Sequence, residues 1–390
     1  MLYRLFISIQ FFLLFLSFGS VFSMFNSTLI DFVILIINFI LLSLLNVFFK
    51  KKHLIMIISI ILILILHSFL SSSKLFQYFG LFFRILNIYF LCSFLNFETI
   101  KIKKYFVKAL WIIAYLSLLN LILINLIPNY FETFENKDGF SVSSLMYLFN
   151  YNSTISIYNF NIFRNQGMFW EPGVLQIPLL FLFYHLIIEK KEYLKSLLIL
   201  VLIFSTFSTT GIIGVLLIVF YEIILKFKEN KNKLGLFIKS ISIFILIIPI
   251  FIFSLNHKLN DEKDNISSIA RTYDLLIGIK MVAKFPFFGL GIEDDKYLKE
   301  IRKESVSIFD ERLDDVRGNT NALLTYFIKF GIPIAVIILY LFYNQNLFNN
   351  KFAFFTILIL VLSASPLVFV NIWFLLILTS FFKNRQNDIY

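Results

Sequence analysis

Two arginines stand in settings where their chemistry could be used. Arg164 opens the run Arg164-Asn165-Gln166-Gly167-Met168-Phe169-Trp170-Glu171-Pro172-Gly173, which sets a cation among aromatic rings, glycines and a proline. A guanidinium is a rigid planar fork that matches phosphate oxygens in pairs. Glu171 precedes a proline, so its backbone is driven away from helix and its side chain sits on a turn. The competing reading is an interfacial aromatic belt, since Trp and Phe suit the headgroup layer of a membrane, with Arg164 and Glu171 as a structural pair. Arg271 lies one turn before Asp274, at pairing distance on a helix. Their segment, Ala270 to Lys284, places Tyr273, Leu276, Ile277 and Lys280 in i, i+3, i+4, i+7 relation, an amphipathic pattern that predicts a helix lying on a membrane surface. Pro286 should end that helix, and Gly289 and Gly291 predict a flexible turn beyond it.

Other reactive residue types carry less. Glu293, Asp294 and Asp295 open a second charged helix, read as a solvated face rather than a metal site. Three bases fall within apolar stretches: Arg84, Lys239 and Lys329. A charge at the bilayer centre costs about 2.5–3.5 kcal/mol on insertion scales, so such a residue faces a bundle interior or water. Arg84, with Asn87 one turn on, is the strongest of the three. Lys239 is placed to snorkel, and Lys329 stands just before Gly331-Ile332-Pro333, where a helix can break. The four histidines show no ligand spacing; His67 and His185 lie in apolar runs and read as satisfied core residues. The single cysteine, Cys92, excludes a disulfide framework. Neither a GxxxxGK[ST] nor a GxGxxG loop is present, and no cofactor or metal is expected.

The elements that must position these residues are membrane helices. The chain has 390 residues, 59% of them hydrophobic and 15% charged, with a mean hydropathy of +0.85. Soluble domains carry about 25% charged residues. Apolar runs long enough to cross a bilayer fall at about 5–23, 29–49, 54–70, 75–97, 105–127, 174–189, 193–209, 212–225, 234–255, 320–343, 352–365 and 368–382. Strands of a barrel would alternate apolar and polar residues, whereas Ile61-Leu62-Ile63-Leu64-Ile65-Leu66 does not. The expected fold is therefore all-α, a polytopic bundle of about 12 transmembrane helices. The first run is read as a retained span rather than a cleaved signal.

Lys and Arg alternate between loops in step with this count. Lys50 to Lys52, Lys101 to Lys108, Lys190 to Lys195 and Lys226 to Lys233 fall on one side, while the short loops of the other side hold only Lys74. Basic loops stay in the cytosol, so both termini are expected there, and the net charge of +11 is a topology signal rather than a nucleic-acid footprint. The resulting organisation is spans one to five over 1–127, a first long outer loop over 128–173, spans six to nine over 174–255, a large outer loop with interfacial helices over 256–318, and the last spans over 319–390.

Taken in order, the motifs Arg164 to Pro172, Ser208-Thr209-Thr210-Gly211, Arg271, Phe285-Pro286-Phe287-Phe288-Gly289-Leu290-Gly291, Asn319-Thr320-Asn321 and Phe330-Gly331-Ile332-Pro333 resemble the O-antigen polymerase and O-antigen ligase superfamily, over about residues 163–341. The resemblance implies a C-type glycosyltransferase fold in the bacterial plasma (inner) membrane. It implies a Wzy-type polymerase that joins oligosaccharide repeat units, carried on polyprenyl pyrophosphate, into O-antigen of lipopolysaccharide, capsule or exopolysaccharide at the outer face. Its partners would be the lipid-linked oligosaccharide, membrane lipid, a chain-length regulator and a flippase. Under that reading Glu171 and Asp274 are the catalytic carboxylates, Glu171 being the first choice of base. Arg164, Arg271, Arg84, Gly167, Gly289 and Asn319 are the substrate-binding set. One departure matters: ligases open the span after the large loop with a His-Asn pair, and here that position is Asn319. An amide is no base at neutral pH, which favours polymerase over a ligase acting on lipid A-core. A flippase for lipid-linked oligosaccharide is the alternative from another class; it predicts matching broken halves, which the sequence does not show.

Overall fold

The computed structural model describes residues 2–44, 51–135, 141–152, 154–157, 160–229, 262–304 and 319–382. The chain forms two compact units, one from Met1–Phe32, Lys103–Asn265 and Phe348–Val361, the other from Val33–Ile102, Ile266–Leu347 and Leu362–Tyr390. Among the described residues six helices are long and apolar enough to cross a membrane, and four shorter apolar helices accompany them. The expected ninth span, 234–255, and Lys239 within it lie outside the described residues.

In the first unit, α1 (Leu2–Leu16) and the start of α2 (Val21–Leu44) part at a break that the sequence hides inside one apolar run. Gly19 has φ of 79°, and the hydroxyls of Ser17 and Ser20 donate to Leu14 O (2.8 Å) and Leu16 O (2.6 Å). Such back-bonding takes carbonyls from the helix ladder. The expected first span, 5–23, is thus cut short at Leu16, while the apolar stretch of α2, Leu29–Leu44, starts where the second span was expected. Helix α5 (Thr99–Leu126) leads to the first long loop. Helix α6 (Pro172–Tyr184) starts with proline at N1, where the missing N–H costs nothing, and is buried nearly all round. It continues through a π-helical turn, His185–Lys190. Helices α7 (Tyr193–Ser205) and α8 (Thr209–Glu229) pack against it. The approach of α8 needs glycine: a Cβ on Gly211 would lie 2.7 Å from Gln176 Oε1, and one on Gly214 would lie 2.7 Å from the Leu180 methyls.

The first long loop departs from the all-α expectation. It forms a three-stranded antiparallel sheet, β1 (Glu132–Glu135), β2 (Ser141–Leu145) and β3 (Phe149–Tyr151), and a hairpin of β4 (Thr154–Ile157) and β5 (Phe160–Phe163). Phe131 and Phe149 cover Ile124 of α5 with their rings. Short strands of this kind leave little periodic signal for sequence reading.

The second unit holds the end of α2, α3 (Lys51–Leu70) and α4 (Leu75–Phe94). Asn38 of α2 donates to Asn87 Oδ1 of α4 at 2.9 Å, a buried bond that fixes their register. Helices α9 (Glu262–Lys284) and α10 (Asp294–Glu304) come from the second long loop, whose remaining ends, 256–261 and 305–318, lie outside the described residues. The last helices are α11 (Ala322–Tyr343), α12 (Lys351–Ser363), which runs from the first unit into the second, and α13 (Asn371–Thr379). Of the expected face of α9, Tyr273 and Ile277 pack with Met281, Tyr297 and Ile301, while Leu276 and Lys280 are exposed.

Candidate functional site

Arg164, Gly167 and Glu171 belong to the first unit; Arg84, Arg271, Asp274, Gly289 and Asn319 belong to the second. Arg164 follows β5 directly, and its Nε donates to Thr206 O at 3.1 Å, with Nη2 3.5 Å from Phe207 O. These carbonyls sit at the C-terminal end of α7, where a cation meets the negative pole of the helix. The structure thus joins the Arg164 motif to the Ser208-Thr209-Thr210-Gly211 junction that follows α7. Behind it, Asn165 is fully buried: its Nδ2 reaches Ser117 Oγ and Ser205 Oγ, each at 3.0 Å, and its Oδ1 accepts from Asn120 (2.9 Å) and from Gly167 N (3.1 Å). Gly167, at φ +56°, turns the chain back. Trp170 N–H then donates to Gly19 O at 3.2 Å, and Val21 N–H donates to Met168 O at 3.1 Å, so the motif is stitched into the break between α1 and α2. Glu171 is extended (φ −138°, ψ 147°) at the N-cap of α6, the turn expected for a residue before proline.

In the second unit Asp274 reaches the N-terminus of α11. Its Oδ2 accepts from Thr320 N (2.9 Å) and Thr320 Oγ1 (2.7 Å). Burial pushes this carboxyl above the ordinary carboxylate range, against the lowering pull of both Thr320 bonds and of the Arg271 charge. A carboxylate with a raised pKa is a better proton acceptor. Arg271 is exposed one turn earlier. Asn319 is buried and spent on structure: Nδ2 donates to Asp274 O at 3.0 Å, and Oδ1 accepts from Asn321 N at 2.8 Å. Asn321 in turn caps α11 by accepting from Leu324 N at 2.9 Å. Thr320 is the residue that sequence reading passed over; the signal was its place inside Asn319-Thr320-Asn321, a run of helix-capping types.

Helix α11 breaks at Gly331 (φ 76°, ψ 169°), as the Gly331-Ile332-Pro333 sequence suggested. The break releases carbonyls that the strap after α9 takes up. Leu290 N–H donates to Ile328 O at 2.8 Å, Gly291 N–H to Lys329 O at 3.0 Å, and Ile332 N–H to Pro286 O at 2.7 Å. The expected flexible turn is therefore a pinned one. His67 holds Phe288 O at 2.8 Å and the Tyr78 hydroxyl at 2.7 Å; Glu293 accepts from Lys74 N at 2.5 Å; Lys296 donates to Ser72 O at 2.6 Å. Gly289 lies against α11, where a Cβ would meet Gly331 N and Ile328 O at 2.6 Å. Arg84 donates from Nη1 to Phe369 O. Lys329 Nζ is 2.7 Å from Asp294 Oδ1 and 5.1 Å from the centre of the Phe369 ring. Among the described residues no group of three or more His, Cys, Asp or Glu side chains could hold a metal ion.

The stretch that contains α7, the strap and most of α11 has a counterpart among known families. A family model described as O-antigen ligase matches residues 194–339. No curated protein and no solved structure matches the chain. Residues 194–339 carry a domain of the O-antigen ligase and polymerase superfamily.

Proposed function

We propose that this chain is a polymerase that joins polyprenyl-diphosphate-linked repeat units at the outer face of the bacterial plasma membrane. The observation that carries this reading is the Asp274–Thr320 contact within the family-matched segment. A half-buried carboxylate of raised pKa stands at the mouth of α11 with an exposed arginine one turn away. The residue at the usual histidine position, Asn319, is committed to bracing the Asp274 backbone. In the step, an acceptor hydroxyl gives its proton to a carboxylate and bonds to the sugar anomeric carbon, while the bond from that carbon to the diphosphate oxygen breaks. Arg271 is the cation assigned to the departing diphosphate, with Arg84 in support, and Arg164 is a separate phosphate-binding candidate within the first unit. Charge placed where the leaving group develops its own lowers the barrier. Asp274 now stands ahead of Glu171 as base, because its surroundings favour proton uptake. Gly167 and Gly289 contribute backbone shape.

A ligase is the second reading, favoured by the description of the matching family. Reversing Arg164 or Arg271 to Glu tests the assignment. Long glycan chains should vanish while the protein stays inserted; normal chain lengths from both variants would remove its basis.

A further inference from the structure

We propose that Lys329 is a diphosphate-binding cation of the donor site, and that the Asp294 carboxylate occupies the anion's position in the resting chain. The inference rests on the polymerase reading and extends it to a residue that the family motifs do not include. Lys329 stands seven residues into the apolar helix α11, about 10 Å along its axis from Ala322, where a charged side chain faces protein or water rather than lipid. Its environment is one-sided. The lysine side chain is 10% exposed while that of its partner Asp294 is 78% exposed. An exposed carboxylate gains little from one ion pair and returns to water at small cost. A buried ammonium left without an anion is penalised heavily. Such a site requires an anion, and the resident one is exchangeable.

Two further observations set the class of the incoming anion. Arg84 contacts Phe369 O and Lys329 lies over the Phe369 ring, so two cations from different helices border the same residue. A diphosphate carries enough charge and oxygen atoms to engage both, which a single carboxylate does not. The nearby strap offers little competition as a ligand, since the N–H groups of Gly289, Leu290 and Gly291 already serve Phe285 O, Ile328 O and Lys329 O. Recognition here falls to side-chain charge. Asp294 begins α10, so its displacement would also reach the helix that packs against α9 and Asp274.

The test is binding of polyprenyl diphosphate to the full chain in lipid nanodiscs, with polyprenol and inorganic pyrophosphate as companion probes. Lys329→Gln should weaken polyprenyl diphosphate at least about tenfold, Lys329→Arg should stay within about threefold, and Asp294→Asn should tighten it about three- to tenfold, as expected when a buried charge loses its partner or a competing one is removed. Polyprenol binding should not change, and pyrophosphate competition should fall with Lys329→Gln. Asp294 is exposed, so its variant tests the idea even if Lys329→Gln folds poorly. Affinity unchanged in both Lys329→Gln and Asp294→Asn would overturn the inference while leaving the polymerase reading intact. A wild-type chain that binds no polyprenyl diphosphate would overturn both.

Discussion

Replacing Gly331 by Ala should break the contact that pins the strap after α9 to α11. Its φ of 76° and ψ of 169° lie in a region essentially reserved to glycine, which costs a side-chain-bearing residue about 1–3 kcal/mol. The new methyl would also stand 2.3 Å from Phe287 O and 2.8 Å from Phe288 N, backbone atoms that cannot swing away. Overpacking of that kind costs about 1–3 kcal/mol more, so the change should destabilise by about 2–6 kcal/mol. Gly80, inside α4, is the control, since a Cβ there meets nothing within 4 Å. Gly80→Ala should stabilise by about 1 kcal/mol through helix propensity. Thermal unfolding of the purified chain in detergent should therefore move in opposite directions for the two variants. Gly289→Ala meets the same backbone from the other side, at 2.6 Å from Gly331 N. The double variant should lose less than its parts predict, because the first methyl already lifts the strap. A Gly331→Ala midpoint at or above wild type would refute the reasoning.

Three other outcomes follow from the same geometry. The carboxyl of Asp274 has a folded pKa raised by burial, so the folded state binds more protons than the unfolded one between the ordinary carboxylate pKa and the raised value, and stability falls as pH rises through that window. Asp274→Asn should accordingly keep or raise the unfolding midpoint at neutral pH while abolishing polymerisation, as measured by calorimetry beside a glycan gel. Activity of the unaltered chain should decline as pH falls through that raised pKa, and a flat profile across the acid limb would argue against Asp274 as base. Asn319→Ala leaves Asp274 O and Asn321 N without their side-chain partner, a loss of about 1–3 kcal/mol readable in the unfolding midpoint.

Some of this architecture was legible in the residues and some was not, for identifiable reasons. Long apolar runs mark membrane helices because the signal is local. The break in α11 was visible because Gly331 and Pro333 announce it, and His67 and His185 proved hydrogen-bonded as buried histidines should be. The break between α1 and α2 was hidden because Ser17, Gly19 and Ser20 sit within an unbroken apolar run. The small sheets of the first long loop escaped notice because their strands are only 3–5 residues long. The pinned strap was unreadable for another reason: half of its contacts join positions more than 200 residues apart, as His67 does with Phe288. The site divides in the same way. Arg164, Arg271, Asp274 and Asn319 were named by residue type and motif. That Thr320 holds Asp274, and that Asn319 is a brace, depends on packing α9 against α11, which no local pattern encodes.

The central claim is that this chain lengthens glycans from lipid-linked units, and the most direct measurement is glycan chain length on a gel after deletion of its gene. The account predicts a single capped repeat unit in place of the ladder, restored by the unaltered chain and not by Asp274→Asn. Long chains that persist unattached to their final acceptor would contradict it in favour of a ligase, and complete loss of outer-face glycan would contradict it in favour of a flippase.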